Sequence, residues 1–391
     1  MALVGIAILS LLIWVFLLGF WGQFWRTNQR LEATLELQSG TSQDHPSVWA
    51  IIPARNEAEM LPESLPSLMN QDYPGNFQII LVDDQSEDGT AQIAQEIAPM
   101  INVIPGKPLP SSWTGKLWAL EQGISYGKNQ TPAPDFFLLT DADIVHDLGN
   151  VQQLVAKAEQ ENLQLVSLMV RLRCKTFWEK LLIPAFVFFF QKLYPFAWVN
   201  NPQRKMAAAA GGCILIRREA LERIGGIGVL REALIDDCTL ARLVKLSPPK
   251  ENRSNYPIWL GLTESNFSLR PYDSLASIWD MVARTAFTQL NYSTLLLVGA
   301  LLGMTLVYLI PVVVTFGSIF TENWATGILG ICTWLLMVCA YLPTVRFYRL
   351  APGWAICLPA IAFLYTLMTL DSAVRHWQGR GGAWKGRVYS S

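Results

Sequence analysis

Long charge-free stretches near both ends of the chain set the first limit on its fold. Ala2 to Trp25 carries no charged residue, and neither do Ser293 to Phe320, Trp324 to Val345 and Leu350 to Leu370. About 20 apolar residues make a helix long enough to cross a bilayer. The chain is 51% hydrophobic, more than an ordinary soluble domain, and the excess is concentrated in these stretches.

No Lys or Arg precedes the first apolar core, and no small-residue cleavage site follows it. The stretch 1–25 therefore reads as an uncleaved anchor rather than a signal peptide. Arg26 and Arg30 come next, so the positive-inside rule puts the following domain in the cytoplasm. The C-terminal region, 291–372, conflicts with that rule. Arg346 and Arg349 precede its third stretch, while Arg375, Arg380, Lys385 and Arg387 follow it. Three crossings leave the basic tail, 373–391, outside. A re-entrant third segment, permitted by Pro352 and Pro359, keeps both basic stretches inside. The sequence leaves both arrangements open.

Between the apolar ends, 45–290 alternates strands with helices, the pattern of a mostly parallel sheet covered on both faces. Val48 to Ile52 reads as a strand ending in Pro53-Ala54-Arg55-Asn56-Glu57. Leu61 to Met69 reads as a helix, and Gln78 to Val82 as a strand ending in Asp83-Asp84. A helix over Ala91 to Ile97 and a short strand near Val103 come after it. Each strand ends in a polar or acidic loop, which places a ligand site along one sheet edge. A net charge of −1 gives no field for nucleic acid. The six cysteines form no CxxC or Cys/His cluster, and they read as small buried hydrophobes in a reducing compartment.

Phe136 to Val145 (FFLLTDADIV) is the fourth strand of this series, and it ends in Asp141-Ala142-Asp143. In an extended chain, side chains two apart share a face. Two such carboxylates, completed by water and phosphate oxygens, suit Mg²⁺ or Mn²⁺. A polar turn after a strand is the plainer reading of the same residues. In Lys107 to Leu120, Gly115-Lys116 opens a helix, where free N–H groups attract anions; that suits a diphosphate as well as a surface lysine.

Arg171 to Arg218 is basic, with Glu179 its one acid, and encloses the apolar run Leu181 to Val199. Pro184, Pro195 and Lys192 argue for a segment 181–199 lying in the membrane interface rather than crossing it. A crossing would also strand the next motif, Asp236-Asp237, on the wrong side of the membrane. Ala207 to Cys213 (AAAAGGC) permits close backbone approach, and Ile214 to Ile216 reads as a further strand. Asp236-Asp237 then stands at the start of a helix, either as N-terminal caps or as a general base for an acceptor hydroxyl.

These motifs, in this order over residues 48 to 243, resemble those of the family 2 inverting glycosyltransferases with a GT-A fold. PARNE, VDDQSEDGT, TGKLWAL, TDADI and IDD carry the likeness. The chain looks similar to the membrane-bound branch that includes ceramide glucosyltransferases. SLMVRLRC, LLIPAFVFFFQKLYPFAWVN, AAAAGGC and the closing AWKGRVY look like the bacterial hopene-associated glycosyltransferases.

The resemblance implies a Rossmann-like α/β domain with membrane helices at both ends. It implies a sugar donor, such as a UDP-sugar, and a lipid acceptor at the cytoplasmic face of a bacterial membrane. Pro53, Arg55, Glu57, Asp83 and Asp84 would hold the nucleotide, and Lys116 its diphosphate. Asp141 and Asp143 would hold the divalent cation, and Asp237 would be the base. The branch often carries Gln/Arg-x-x-Arg-Trp before the first C-terminal span. Here that stretch runs from Arg284 to Gln289 without the Arg-Trp pair, leaving Arg284 and Gln289 to take its place. A processive polysaccharide synthase and a silent nucleotide-binding scaffold are the competing readings.

Overall fold

In chain order the strands are β1 (Val48–Ala54), β2 (Phe77–Asp83), β3 (Asn102–Pro105), β4 (Phe136–Thr140), β5 (Ile144–Val145), β6 (Leu165–Arg171), β7 (Cys213–Arg217) and β8 (Ile258–Ser268). This computed structural model describes residues 2–31, 45–247 and 255–380, with a short antiparallel pair of strands at Ala383–Trp384 and Arg387–Val388. Lys385, expected in the basic tail, lies outside the described residues.

The eight strands form one sheet in the order β3-β2-β1-β4-β7-β6-β8-β5. β1 is parallel to β2 and to β4, and β2 is parallel to β3. The order thus reverses at β1, and the loops after β1 and β4 flank the crevice where open sheets bind ligands. The other half is mixed: β7 runs antiparallel to both β4 and β6, while β6 and β8 are parallel. β5 pairs antiparallel with the end of β8.

β1 and β4 are apolar and buried from end to end, as strands covered on both faces must be. Ala50, Ile52 and Leu138 join Leu61, Leu65, Val151, Leu154 and Val155 in one core. The helix Gly115–Lys128 lies close on β1 at Ile51. A Cβ at Gly123 would sit 2.5 Å from Ile51 Cγ2, so this close approach depends on glycine.

The chain divides into two compact units. Residues 29–173 and 198–271 make the α/β unit. Residues 1–28, 174–197 and 272–391 make a helical unit. Among the described residues, five helices are long and apolar enough to cross a membrane. They are Leu3–Phe20, Phe177–Val199, Thr294–Thr321, Trp324–Phe347 and Pro352–Trp377. This length and composition suit membrane association.

The segment expected at 181–199 is a helix over Phe177–Leu193 that contains Pro184 and stops before Pro195, then a single turn at Phe196–Val199. It is the most buried of the five. Glu179 is fully buried; its carboxylate accepts from the backbone N–H groups of Lys175, Thr176 and Tyr272. The helix Thr294–Met304 continues into a π-helical turn, Thr305–Leu309. Wider turns of this kind free carbonyls, which apolar surroundings cannot satisfy. The N-terminal helix does so instead: Ser10 Oγ donates to Leu306 O at 2.9 Å, and Trp14 Nε1 to Val307 O at 2.8 Å.

Candidate active site

The loops at the switch point bring most of the expected residues to one edge of the α/β unit. Lys116, in the first turn of its helix, places Nζ 2.6 Å from Asp141 Oδ1, just past the end of β4. Burial alone would lower the Lys116 ammonium. The charges of Asp141, Asp236 and Asp237 outweigh it and hold the group above its ordinary range. Burial raises the Asp141 carboxyl; Lys116 opposes this and Asp143 adds to it.

Asp236 and Asp237 open the helix Asp236–Leu246. Asp237 Oδ2 accepts the Gly211 N–H at 3.0 Å, and its Oδ1 accepts its neighbour's N–H, from Cys238, at 2.7 Å. Burial, followed by the charge of Asp236, pushes Asp237 up to about 6. A Cβ at Gly211 would stand 3.3 Å from Lys116 Nζ and 3.5 Å from Asp237 Oδ2. The small residues before β7 therefore do allow the close approach expected of them. Pro53, Lys116, Asp141, Gly211, Asp236 and Asp237 meet around a cavity of about 20 Å³ among apolar side chains. That is room for roughly one water.

Asp143 does not share a strand face with Asp141, because the chain leaves the extended conformation after Thr140. Its Oδ2 accepts from Ser268 Oγ at 2.6 Å and lies 3.4 Å from Arg270 Nε. Arg270 Nη2 also reaches Glu57 Oε1 at 2.7 Å. One arginine thus ties the loop after β1 to the loop after β4. Arg55 donates to the carbonyls of Asp84 (2.6 Å) and Gln85 (3.2 Å), tying the β1 loop to the β2 loop. Asp83 Oδ1 accepts the Ser86 N–H at 3.3 Å, and Asp84 is 1% exposed.

Ser268 and Arg270 were missed because the middle of β8, TESNF, is polar and hides the strand that delivers them. Arg284 is exposed, and Gln289 accepts from the Tyr194 hydroxyl at 2.7 Å; both lie in the helical unit.

Each carboxylate of the Asp-x-Asp motif keeps one oxygen, Asp141 Oδ2 and Asp143 Oδ1, that no donor among the described residues reaches. No three His, Cys, Asp or Glu side chains among the described residues gather as a metal set of their own. A hard cation held by two carboxylates and completed by phosphate oxygens fits these donors.

Residues 49–225 match the family described as Glycosyl transferase family 2. The α/β unit thus carries the likeness to a family 2 glycosyltransferase domain.

Among similar proteins, the chain is 36% identical over 110 residues to a 4,4'-diaponeurosporenoate glycosyltransferase of Staphylococcus haemolyticus, covering 28% of this chain and 27% of that one. It is 28% identical over 192 residues to a probable glycosyltransferase, YdaM, of Bacillus subtilis, covering 46% and 43%. The chain thus spans about a quarter to under half the length of these relatives. In fold it is similar to a mannosyltransferase from Pyrobaculum calidifontis in complex with GDP-Man and Mn²⁺. The TM-score is 0.54 at 18% identity, covering 96% of this chain and 99% of that one. The fold class is therefore α/β of the GT-A type, with a mostly parallel mixed sheet and long apolar helices at both ends.

Proposed function

We propose that this protein transfers a sugar from a nucleotide-diphosphate sugar to a membrane lipid, with inversion at the anomeric carbon. One arrangement carries the reading: Lys116, Asp141 and Asp237 meet at the switch-point edge, with Asp237 gripped by the Gly211 amide.

Asp141 and Asp143 would hold Mg²⁺ or Mn²⁺ on their remaining oxygens, and the ion when bound neutralises charge on the leaving diphosphate. Lys116 supplies a second positive charge to the same group. Asp237 takes the proton of the acceptor as it attacks from the face opposite the diphosphate. A carboxylate raised to about 6 is a better base than an ordinary one, yet still ionised at neutral pH. The loops bearing Arg55, Glu57, Asp83 and Asp84 frame the nucleotide side.

The acceptor is read as a lipid for two reasons. The domain is joined to long apolar helices, and a relative bears the name of a carotenoid glycosyltransferase. The resemblance of several stretches to hopene-associated enzymes makes a hopanoid an acceptor to try beside a carotenoid. The membrane is the bacterial cytoplasmic one, with the α/β unit facing the cytoplasm. Arg26 and Arg30 after the first apolar helix support that orientation.

The test is mass spectrometry of lipids from cells with and without the protein, paired with nucleotide release by the purified enzyme. A lipid heavier by one sugar, formed only with the protein and lost in Asp237→Asn, is the expected result. No sugar-bearing lipid and no nucleotide release overturns the reading.

A further inference from the structure

A line of fully hydrogen-bonded polar side chains lies buried behind the Asp141 loop. Thr140, His146, Asn150 and Asn266 are each at most 4% exposed. Their hydrogen bonds can run in one direction only. The Asp147 N–H donates to Asn266 Oδ1 at 2.7 Å, so the other end of that amide is a donor. Asn266 Nδ2 gives to Asn150 Oδ1 at 2.6 Å, and Asn150 Nδ2 to His146 Nδ1 at 3.0 Å. An imidazole that accepts at Nδ1 carries its proton on Nε2. His146 Nε2 therefore donates to Thr140 Oγ1 at 2.9 Å, and the Thr140 hydroxyl to Gly212 O at 2.9 Å. Burial lowers the His146 ring to about 4, which keeps it in this neutral form.

Both ends of the relay are backbone groups, and the Thr140 end touches the chemistry on two sides. Thr140 immediately precedes Asp141, and Gly212 immediately follows Gly211, whose N–H holds Asp237 Oδ2. β4 and β7 are paired here, Thr140 against Cys213. The sheet fixes the strands, and the Thr140 hydroxyl adds a bond at the point where both chains leave it.

We propose that Thr140 and His146 are positioning residues for sugar transfer, holding the Asp141 loop in register with the Gly211–Gly212 segment that grips Asp237. This rests on the transfer reading above. Misplacing reacting groups by about 1 Å costs on the order of 100-fold in rate, so a loosened register is expected to appear in kcat.

The experiment compares Thr140→Val, which keeps the shape, with Thr140→Ser, which keeps the hydroxyl, in the full chain. Three readouts are taken: melting, steady-state kinetics, and deuterium exchange over 141–146 and 210–214. The expected result for Thr140→Val is a folded enzyme with kcat down at least about 10-fold and donor KM within about 3-fold. Exchange should be faster in both segments, and Thr140→Ser should restore all three readouts. His146→Phe should match Thr140→Val, with the double variant no worse than either, as members of one unit behave. His146→Phe also stands in if Thr140→Val does not fold. Unchanged exchange and kcat in Thr140→Val, or no rescue by Ser, overturns the proposal. Faster exchange in an enzyme whose wild type transfers no sugar overturns the transfer reading instead, and with it the catalytic purpose of the relay.

Discussion

Lys116 Nζ and Asp141 Oδ1 are 2.6 Å apart, so the cation expected on a diphosphate is engaged by a carboxylate expected on a metal. Two positive charges then compete for Asp141 until a diphosphate arrives to take one of them. Metal and nucleotide should therefore bind cooperatively. A partly exposed ion pair is worth roughly 0.2–1 kcal/mol. Lys116→Met should thus bind Mn²⁺ about 1.4- to five-fold more tightly without nucleotide, while losing most transfer activity. Calorimetric titration of Mn²⁺ with and without UDP checks this. Equal affinity for free Mn²⁺ in the two proteins overturns the competition.

Asp143 is buried, and shares Arg270 with Glu57. Asp143→Ala should therefore abolish transfer and also destabilise the protein. Leaving a buried hydrogen-bonding group unpaired costs about 1–3 kcal/mol. Asp143→Asn can still accept from Ser268 and should melt closer to wild type while remaining inactive. Thermal melts and turnover of both variants decide it. An Asp143→Ala protein as stable as wild type would show that the Ser268 hydroxyl finds another acceptor.

Residues 174–197 leave the α/β unit at Arg173 and rejoin it at Trp198. Their main helix, Phe177–Leu193, has no return leg. At 1.5 Å per residue it rises about 26 Å, so a crossing would separate two ends that belong to one folded body. The expected outcome is that cysteines placed at Gln85 and at Gln203, both exposed, are labelled from the same side, the cytoplasm. Labelling from opposite sides would mean a true crossing and would remove Asp237 from the site.

The first four strands were legible because each is a short apolar run closed by a polar loop, and the Leu61–Met69 helix falls where its pattern placed it. β6 and β8 were not read as strands, so Ser268 and Arg270 went unseen. Lys245, in the last turn of its helix, carries no motif that marks it. Yet it is fully buried, donating to the carbonyls of Val199, Asn201 and Met206 at 2.5, 3.0 and 2.8 Å. Nothing local in a sequence records three carbonyls brought together by tertiary structure. Thr140 and His146 are adjacent to a motif, but the relay they belong to includes Asn266, 116 positions beyond Asn150.

Asp236 and Asp237 compete for the role of base, and the structure distinguishes them by their partners. Asp237 is gripped by the Gly211 amide across from Lys116. Its carboxyl is raised to about 6, by burial first and by Asp236 second. A base must be ionised, so kcat should fall as pH drops through about 6, nearing tenfold per unit below it. Asp237→Asn should lose on the order of 10²- to 10⁴-fold in kcat, with donor affinity nearly unchanged and no acid limb near 6 in the remaining rate. Asp236→Asn removes a charge that raises Asp237, so its acid limb should move to lower pH and turnover at neutral pH should fall less. The measurement is kcat against pH for wild type and both variants. A dead Asp236→Asn beside a working Asp237→Asn would move the base by one residue. Normal turnover in both would place it elsewhere in the site.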